Sequence, residues 1–282
     1  MTDPSANSID YLVIGHVSND LTPNGPILGG TVAYAGRTAH ALGLRVRAIT
    51  ATDKDIDLSQ LENIEIHHMP STQSTTFENR YTSKGRIQIL HGRASDISYK
   101  DIPRGWHSAD IVHLGPIADE VDTTLIESFP GALMCITPQG WLRRWDEKGR
   151  VHLTGWDQIS DLLPAADVVV VSMEDLAEDP QSAQDMAPCC KILAVTDAAR
   201  GANVFWSGEE RHIPAPEVEE VDPTGSGDIF AAAFFVRLYQ TDDPWEAARF
   251  ANYLAAASVT RRGMDSTPTM DEIQAAYQLV TP

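Results

Sequence analysis

The chain has 282 residues, a formal net charge of −19 and 43% hydrophobic residues, so it can bury a sizeable core. That charge repels nucleic acid and anionic lipid and argues against both as partners. No apolar run approaches the ~18 residues of a membrane span, and Met1–Ser8 lacks the basic start and apolar stretch of a secretory signal, so the expected location is the cytoplasm. Cys135 stands alone in an apolar run and Cys189 adjoins Cys190, which predicts free thiols rather than a disulfide or metal site. The histidines show no metal-ligand spacing. His67 and His68 fall on opposite faces of one predicted strand.

The first predicted strand is Tyr11 to Ile14. A glycine-rich loop through Asn24-Gly25-Pro26 to Gly29-Gly30 follows it. Thr31 to Leu42 is alanine-rich with helical period and stops at Gly43, and Val46 to Thr50 reads as the next strand. This β-loop-α-β opening predicts a parallel sheet covered by helices. Residues 64 to 92 break the rhythm. Ile64 to Ile66 alternates, and Thr75 to Tyr81 and Arg86 to Leu90 flank a Ser83-Lys84-Gly85 turn, which predicts a hairpin that is either a flap over a site or an edge of the main sheet. Buried strands are predicted at 111–114, 132–136, 168–171 and 192–195, and a late hairpin at 203–206 and 211–213. Helices follow at 226–239, 244–261 and 270–279, with Pro223, Pro244 and Pro268 at or before their starts. One α/β domain over residues 1–282, with β excursions around 20–30 and 64–92, is the simplest organisation.

The stretch Asp222-Pro-Thr-Gly-Ser-Gly-Asp228 leads into the helix from 226. Small residues let the amides of Gly225, Ser226 and Gly227 converge at a helix N-terminus, an anion hole suited to a phosphoryl group. A carboxylate in the first turn, Asp228, can accept the proton of an incoming alcohol. An ordinary capped turn has the same local form. No Gly-Lys-Ser/Thr follows, so the motif is not a Walker loop.

This stretch resembles the C-terminal signature of the ribokinase-like (PfkB-type) carbohydrate kinases. Gly29-Gly30-Thr-Val-Ala-Tyr to Leu42-Gly43 resembles their N-terminal signature, in the right order and nearly 200 residues upstream. The resemblance implies a three-layer α/β fold, a mainly parallel central sheet with helices on both faces, and a small β lid. It also implies ATP with Mg²⁺, with K⁺ as a further cofactor, and a sugar or polyol acceptor. Asp20, Gly29, Gly30, Tyr34 and Gln139 match acceptor-site positions. Ser172, Thr196, Gly201 and Asn252 match nucleotide-site positions, and Glu174 and Asp175 match the region linked to Mg²⁺. The oligomer implied is a monomer or a homodimer through the lid.

The sequence departs from the family pattern at Tyr34, where asparagine is usual, at Ser172-Met-Glu-Asp175 in place of Asn-x-x-Glu, at Ala198 in place of glycine, and at Thr137-Pro-Gln139. Tyr34, Gln139, the lid segment Thr75 to Arg80 and the segment Pro138 to Trp145 resemble a branch close to myo-inositol kinases. Arg80, Arg143 and Arg144 are either phosphate or substrate contacts or ordinary ion-pair arginines. Trp141 and Trp145 either line a polyol pocket or pack in the core. Two other readings stay open: a nucleoside kinase, and a catalytically weak family member acting as a binding or regulatory module.

Overall fold

The computed structural model describes residues 9–82 and 85–280; the segment Met1–Ser8 and the Ser83-Lys84 part of the expected turn lie outside the described residues. In chain order the elements are β1 (Ile9–Ile14), β2 (Ser18–Thr22), β3 (Gly25–Gly29), α1 (Thr31–Ala41), β4 (Val46–Thr52), β5 (Glu65–Pro70), β6 (Thr75–Thr82) and β7 (Gly85–Gly92). Then come β8 (Ala109–Leu114), β9 (Leu133–Ile136), β10 (Arg143–Trp145), β11 (Val151–Leu153), β12 (Val168–Ser172), α2 (Pro180–Met186), β13 (Ile192–Thr196), β14 (Ala202–Trp206) and β15 (Glu209–Ile213). The chain closes with α3 (Ser226–Thr241), α4 (Pro244–Ser258) and α5 (Met270–Val280).

The large sheet has the order β15-β14-β13-β12-β9-β8-β1-β4-β5, parallel except for β14 and β15 at one edge. Its central strands are continuous apolar runs because both faces are covered. Tyr11 and Val13 of β1 point into a core shared with α1, α3, α4 and α5, while Leu12 and Ile14 enter a second core with Leu125, Phe129, Trp141 and Met186. The result is the three-layer α/β fold. Trp141 packs in this second core, with its indole N–H donating to the Val121 carbonyl at 2.9 Å.

A second sheet has the order β3-β2-β6-β7. The glycine-rich stretch before Gly30 forms a β excursion where one was expected, around 20–30: β2 and β3 pair as an antiparallel hairpin from Ser18–Gly29 to Thr22–Gly25. One expectation changes here. The alternating segment near Ile64 to Ile66 does not join the second sheet, because β5 pairs with β4 and extends the main sheet. Backbone pairing between segments distant in the chain decides this outcome, and local pattern carries no information about it.

The second sheet is fastened to the body by a small apolar cluster of Phe77, Leu90, Ile117 and Ala118, against which Trp145 and Val151 pack. The β10–β11 hairpin is tied to β7 as well: the Leu90 amide donates to the Gly149 carbonyl at 2.8 Å. The parallel strands present their C-terminal ends at one edge of the main sheet, and the site lies there, as expected for an open α/β sheet.

Candidate active site

The late glycine motif forms the start of α3. Gly225 caps the helix with φ 79°, and its carbonyl accepts the Ile229 amide at 2.9 Å. Asp222 shapes the approach by accepting the Thr224 amide at 3.0 Å. The Ser226 amide donates to the Pro223 carbonyl at 3.1 Å, which corrects the expectation that three successive amides stay open. Among the described residues, the amides of Gly225 and Gly227 have no backbone acceptor. The space beside Gly227 is open, since a Cβ there would meet nothing within 4 Å.

Asp228 lies in the first turn of α3, hydrogen-bonded to the side chain of Thr31, the first residue of α1. Burial lifts its carboxyl to about 6, and Asp175 and Asp20 push the same way. The Thr31 bond and the Arg143 charge pull it down.

Asp20 projects from β2, with its Oδ1 accepting the Ser18 hydroxyl at 2.9 Å. Burial raises its carboxyl to about 6 and Asp222 adds to the rise, while Ser18 and Arg143 oppose it. The double glycine makes room for this strand. A Cβ on Gly29 would lie 2.3 Å from Asp20 Oδ2, and one on Gly30, at φ +85°, would lie 2.6 Å from the His16 carbonyl oxygen. Tyr34, on the first turn of α1, lays its ring against Gly225, where any Cβ would fall 2.3 Å from the ring.

Of the three candidate arginines, one enters the site. Arg143 is 6% exposed, and its Nη2 lies 3.7 Å from Oδ1 of the equally buried Asp175. Arg80 stays outside, bonded to Glu78 at 2.6 Å, and Arg144 lies at the surface, 3.4 Å from Asp119. In the sequence the three have equal standing; the register of the short β10–β11 hairpin turns Arg143 inward and Arg144 outward, while Arg80 lies on β6 of the other sheet. Asp175 also accepts the Ser172 hydroxyl at 2.6 Å and the Gln139 amide at 3.5 Å. Thr31 was missed as a partner of Asp228, because no local pattern links residue 31 to residue 228.

Ser172 and Thr196 sit side by side at the ends of β12 and β13. The turn that follows is closed by the Asp197 amide donating to the Gly201 carbonyl at 2.7 Å. Gly201 has φ +102°, and a Cβ there would strike the Ile213 carbonyl at 2.2 Å. Ala198, standing where the family has glycine, is held at φ 46°. Asn252 is buried, and its Nδ2 donates to that same Ile213 carbonyl at 2.8 Å, bracing α4 against the end of β15.

The model of the pfkB family of carbohydrate kinases matches residues 148–270. An inositol 3-kinase of Zea mays is 26% identical over 94% of this chain and 76% of its own length. A fructokinase of Escherichia coli is 26% identical over 88% of this chain and 86% of its own. A solved pyrophosphate-dependent myo-inositol-1 kinase superposes with a TM-score of 0.79, at 21% identity, over 94% of this chain and 98% of that one. The chain is thus similar to pfkB-family carbohydrate kinases, by the family model over residues 148–270 and by relatives over most of its length.

A structurally similar ribokinase-type protein of Escherichia coli is known in complex with ATP and Mg²⁺, which makes Mg²⁺ the ion to test against the residues here. Among the described residues, no group of three or more His, Cys, Asp or Glu side chains forms a metal-holding cluster. Mg²⁺ that arrives on a polyphosphate keeps several waters and needs one or two protein carboxylates. Asp175 meets that lesser demand through its buried carboxylate, whereas Glu174 is exposed at the surface. Among the described residues, no helix is long and apolar enough to cross a membrane.

Proposed function

We propose that this chain transfers the γ-phosphoryl group of ATP to a hydroxyl of a sugar, inositol or related polyol. One observation carries the reading. Asp228 sits at an amide-lined helix N-terminus, within electrostatic reach of Asp20, Arg143 and Asp175. Asp20 accepts hydrogen bonds from acceptor hydroxyls, and Gln139 and Arg143 supply donors on the other side. Asp228 takes the proton of the attacking hydroxyl as its oxygen bonds to phosphorus and the bond from phosphorus to the ADP oxygen breaks. With its carboxyl near 6, Asp228 is ionised at neutral pH and remains basic enough to take that proton. The amides of Gly225 and Gly227 and the α3 dipole stabilise charge on the phosphoryl oxygens. Asp175 would hold Mg²⁺ arriving with the donor, and the ion would supply charge neutralisation at the donor phosphates. Ser172, Thr196 and Gly201 form the donor side.

Residues 1–282 act as one kinase domain in this reading. The second sheet, carrying Asp20, is the lid that shields the reaction from water. Its β3 edge is where a second copy would pair if the protein dimerises.

Pyrophosphate as donor is the second reading. Two observations favour it: the Asn252 amide is already spent on the Ile213 carbonyl, and Arg143 places a buried protein cation beside Asp175. The deciding experiment measures phosphorylation of myo-inositol, fructose, ribose and nucleosides with ATP and with pyrophosphate, for the native chain and Asp228→Asn. Polyol or sugar turnover that falls by several powers of ten in Asp228→Asn supports the proposal. Preference for nucleosides turns it into a nucleoside kinase. No turnover with either donor leaves the binding-module reading.

A further inference from the structure

Tyr34 is 2% exposed, and its hydroxyl has no hydrogen-bond partner among the described residues. A buried hydroxyl normally finds a partner, because leaving it unpaired costs more than the bond itself is worth. The surroundings make the orphan more unusual. The ring lies against Gly225, and the phenol feels the charges of Asp20, Asp222 and Asp228. Three carboxylates act on this donor through their charge, yet none hydrogen-bonds it. They come from β2, the glycine motif and α3, which enclose the proposed acceptor site. Burial, with those three carboxylates adding to it, drives the phenol well above its ordinary range, so at working pH it is a donor and never a base.

We infer that the Tyr34 hydroxyl is a specificity element that donates to an acceptor oxygen next to the one being phosphorylated. The inference rests on the kinase reading above and narrows its substrate class. Asp228 and Asp20 both accept, so each takes a hydroxyl hydrogen from the acceptor. Tyr34 donates, so it requires a further oxygen between them. The site thus selects a compact polyol with a run of neighbouring hydroxyls over a simple alcohol or a deoxy sugar. The discrimination is strong because an acceptor lacking that oxygen leaves the buried phenol unpaired. Sites built to pair a substrate hydroxyl reject the deoxy analogue by up to ~10⁴-fold.

The test compares the native chain with Tyr34→Phe, which keeps the ring against Gly225 and removes one oxygen. The acceptor is whichever of myo-inositol, D-fructose and D-ribose has the highest kcat/KM, together with its monodeoxy analogues. The expected result is that the native chain discriminates against one deoxy position by ~100-fold or more. Tyr34→Phe should lose comparable activity on the parent acceptor and become nearly indifferent to that same position. Without ligand, Tyr34→Phe should melt at or above the native temperature, since the orphan is gone. Native kcat/KM in the variant, undiminished discrimination, or a lower melting temperature would each overturn the inference while leaving the kinase reading intact. If the native chain phosphorylates none of the three acceptors with ATP or pyrophosphate, the kinase reading fails and this inference fails with it.

Discussion

Nη2 of Arg143 lies 3.7 Å from Oδ1 of Asp175, and both side chains are buried. The pair joins the short β10–β11 hairpin to the end of β12, and through β7 the same hairpin is tied to the second sheet. A continuous chain of contacts therefore runs from the charged site to the second sheet.

Arg143→Ala should destabilise the protein by about 3–5 kcal/mol, because it strands a buried carboxylate. It should also lift the carboxyls of Asp228 and Asp20 further, since Arg143 pulls both down. Chemical denaturation reads the first effect. An upward move of the acid limb of the kcat/KM profile reads the second.

The pH profile follows from Asp228. With its carboxyl at about 6, kcat/KM should fall about tenfold per unit below that pH. The same shift has a stability sign. A carboxyl raised in the folded state contributes stability below the ordinary carboxylate range and loses it as pH rises through about 6. Asp228→Asn should therefore melt above the native chain at pH 8, with the gap closing towards pH 4. A variant less stable than native at pH 8 would show that the ionised carboxylate holds the loop together.

Gly225→Ala should abolish activity and lower the melting temperature. It combines φ +79° with a Cβ only 2.3 Å from the Tyr34 ring. Gly227→Ala meets nothing within 4 Å and should fold like the native chain. Circular dichroism melts of the two variants test the contrast.

Ala198→Gly should stabilise the turn after β13 by on the order of 1 kcal/mol, because Ala198 is held at φ 46°. A loss of stability would show that the chain entropy of glycine outweighs the relieved strain.

The elements were largely legible in the sequence. β1, β8, β12 and β13 appear as short apolar runs because both faces of the parallel sheet are covered. α3, α4 and α5 announce themselves through helical period and through prolines near their starts. Less legible was pairing between distant segments. β2 and β3 were expected only as a β excursion around 20–30, without their partner β6, and β5 resembled its lid neighbours yet joined the other sheet.

The residue pattern by itself determined a parallel sheet covered by helices and the Asp222–Asp228 motif, because periodicity, caps and the glycines of sharp turns are local properties. The three-layer fold and the roles of Asp20, Gly29 and Gly30 came from the resemblance to the ribokinase-like kinases. Only the tertiary structure decided that Arg143 is the buried arginine, that the Ser226 amide is spent on Pro223, that Thr31 holds Asp228 and that the Tyr34 hydroxyl lacks a partner. Each of these depends on which atoms distant segments bring within a few ångströms of one another. Strand register and burial settle that, and neither is written in the neighbouring residues.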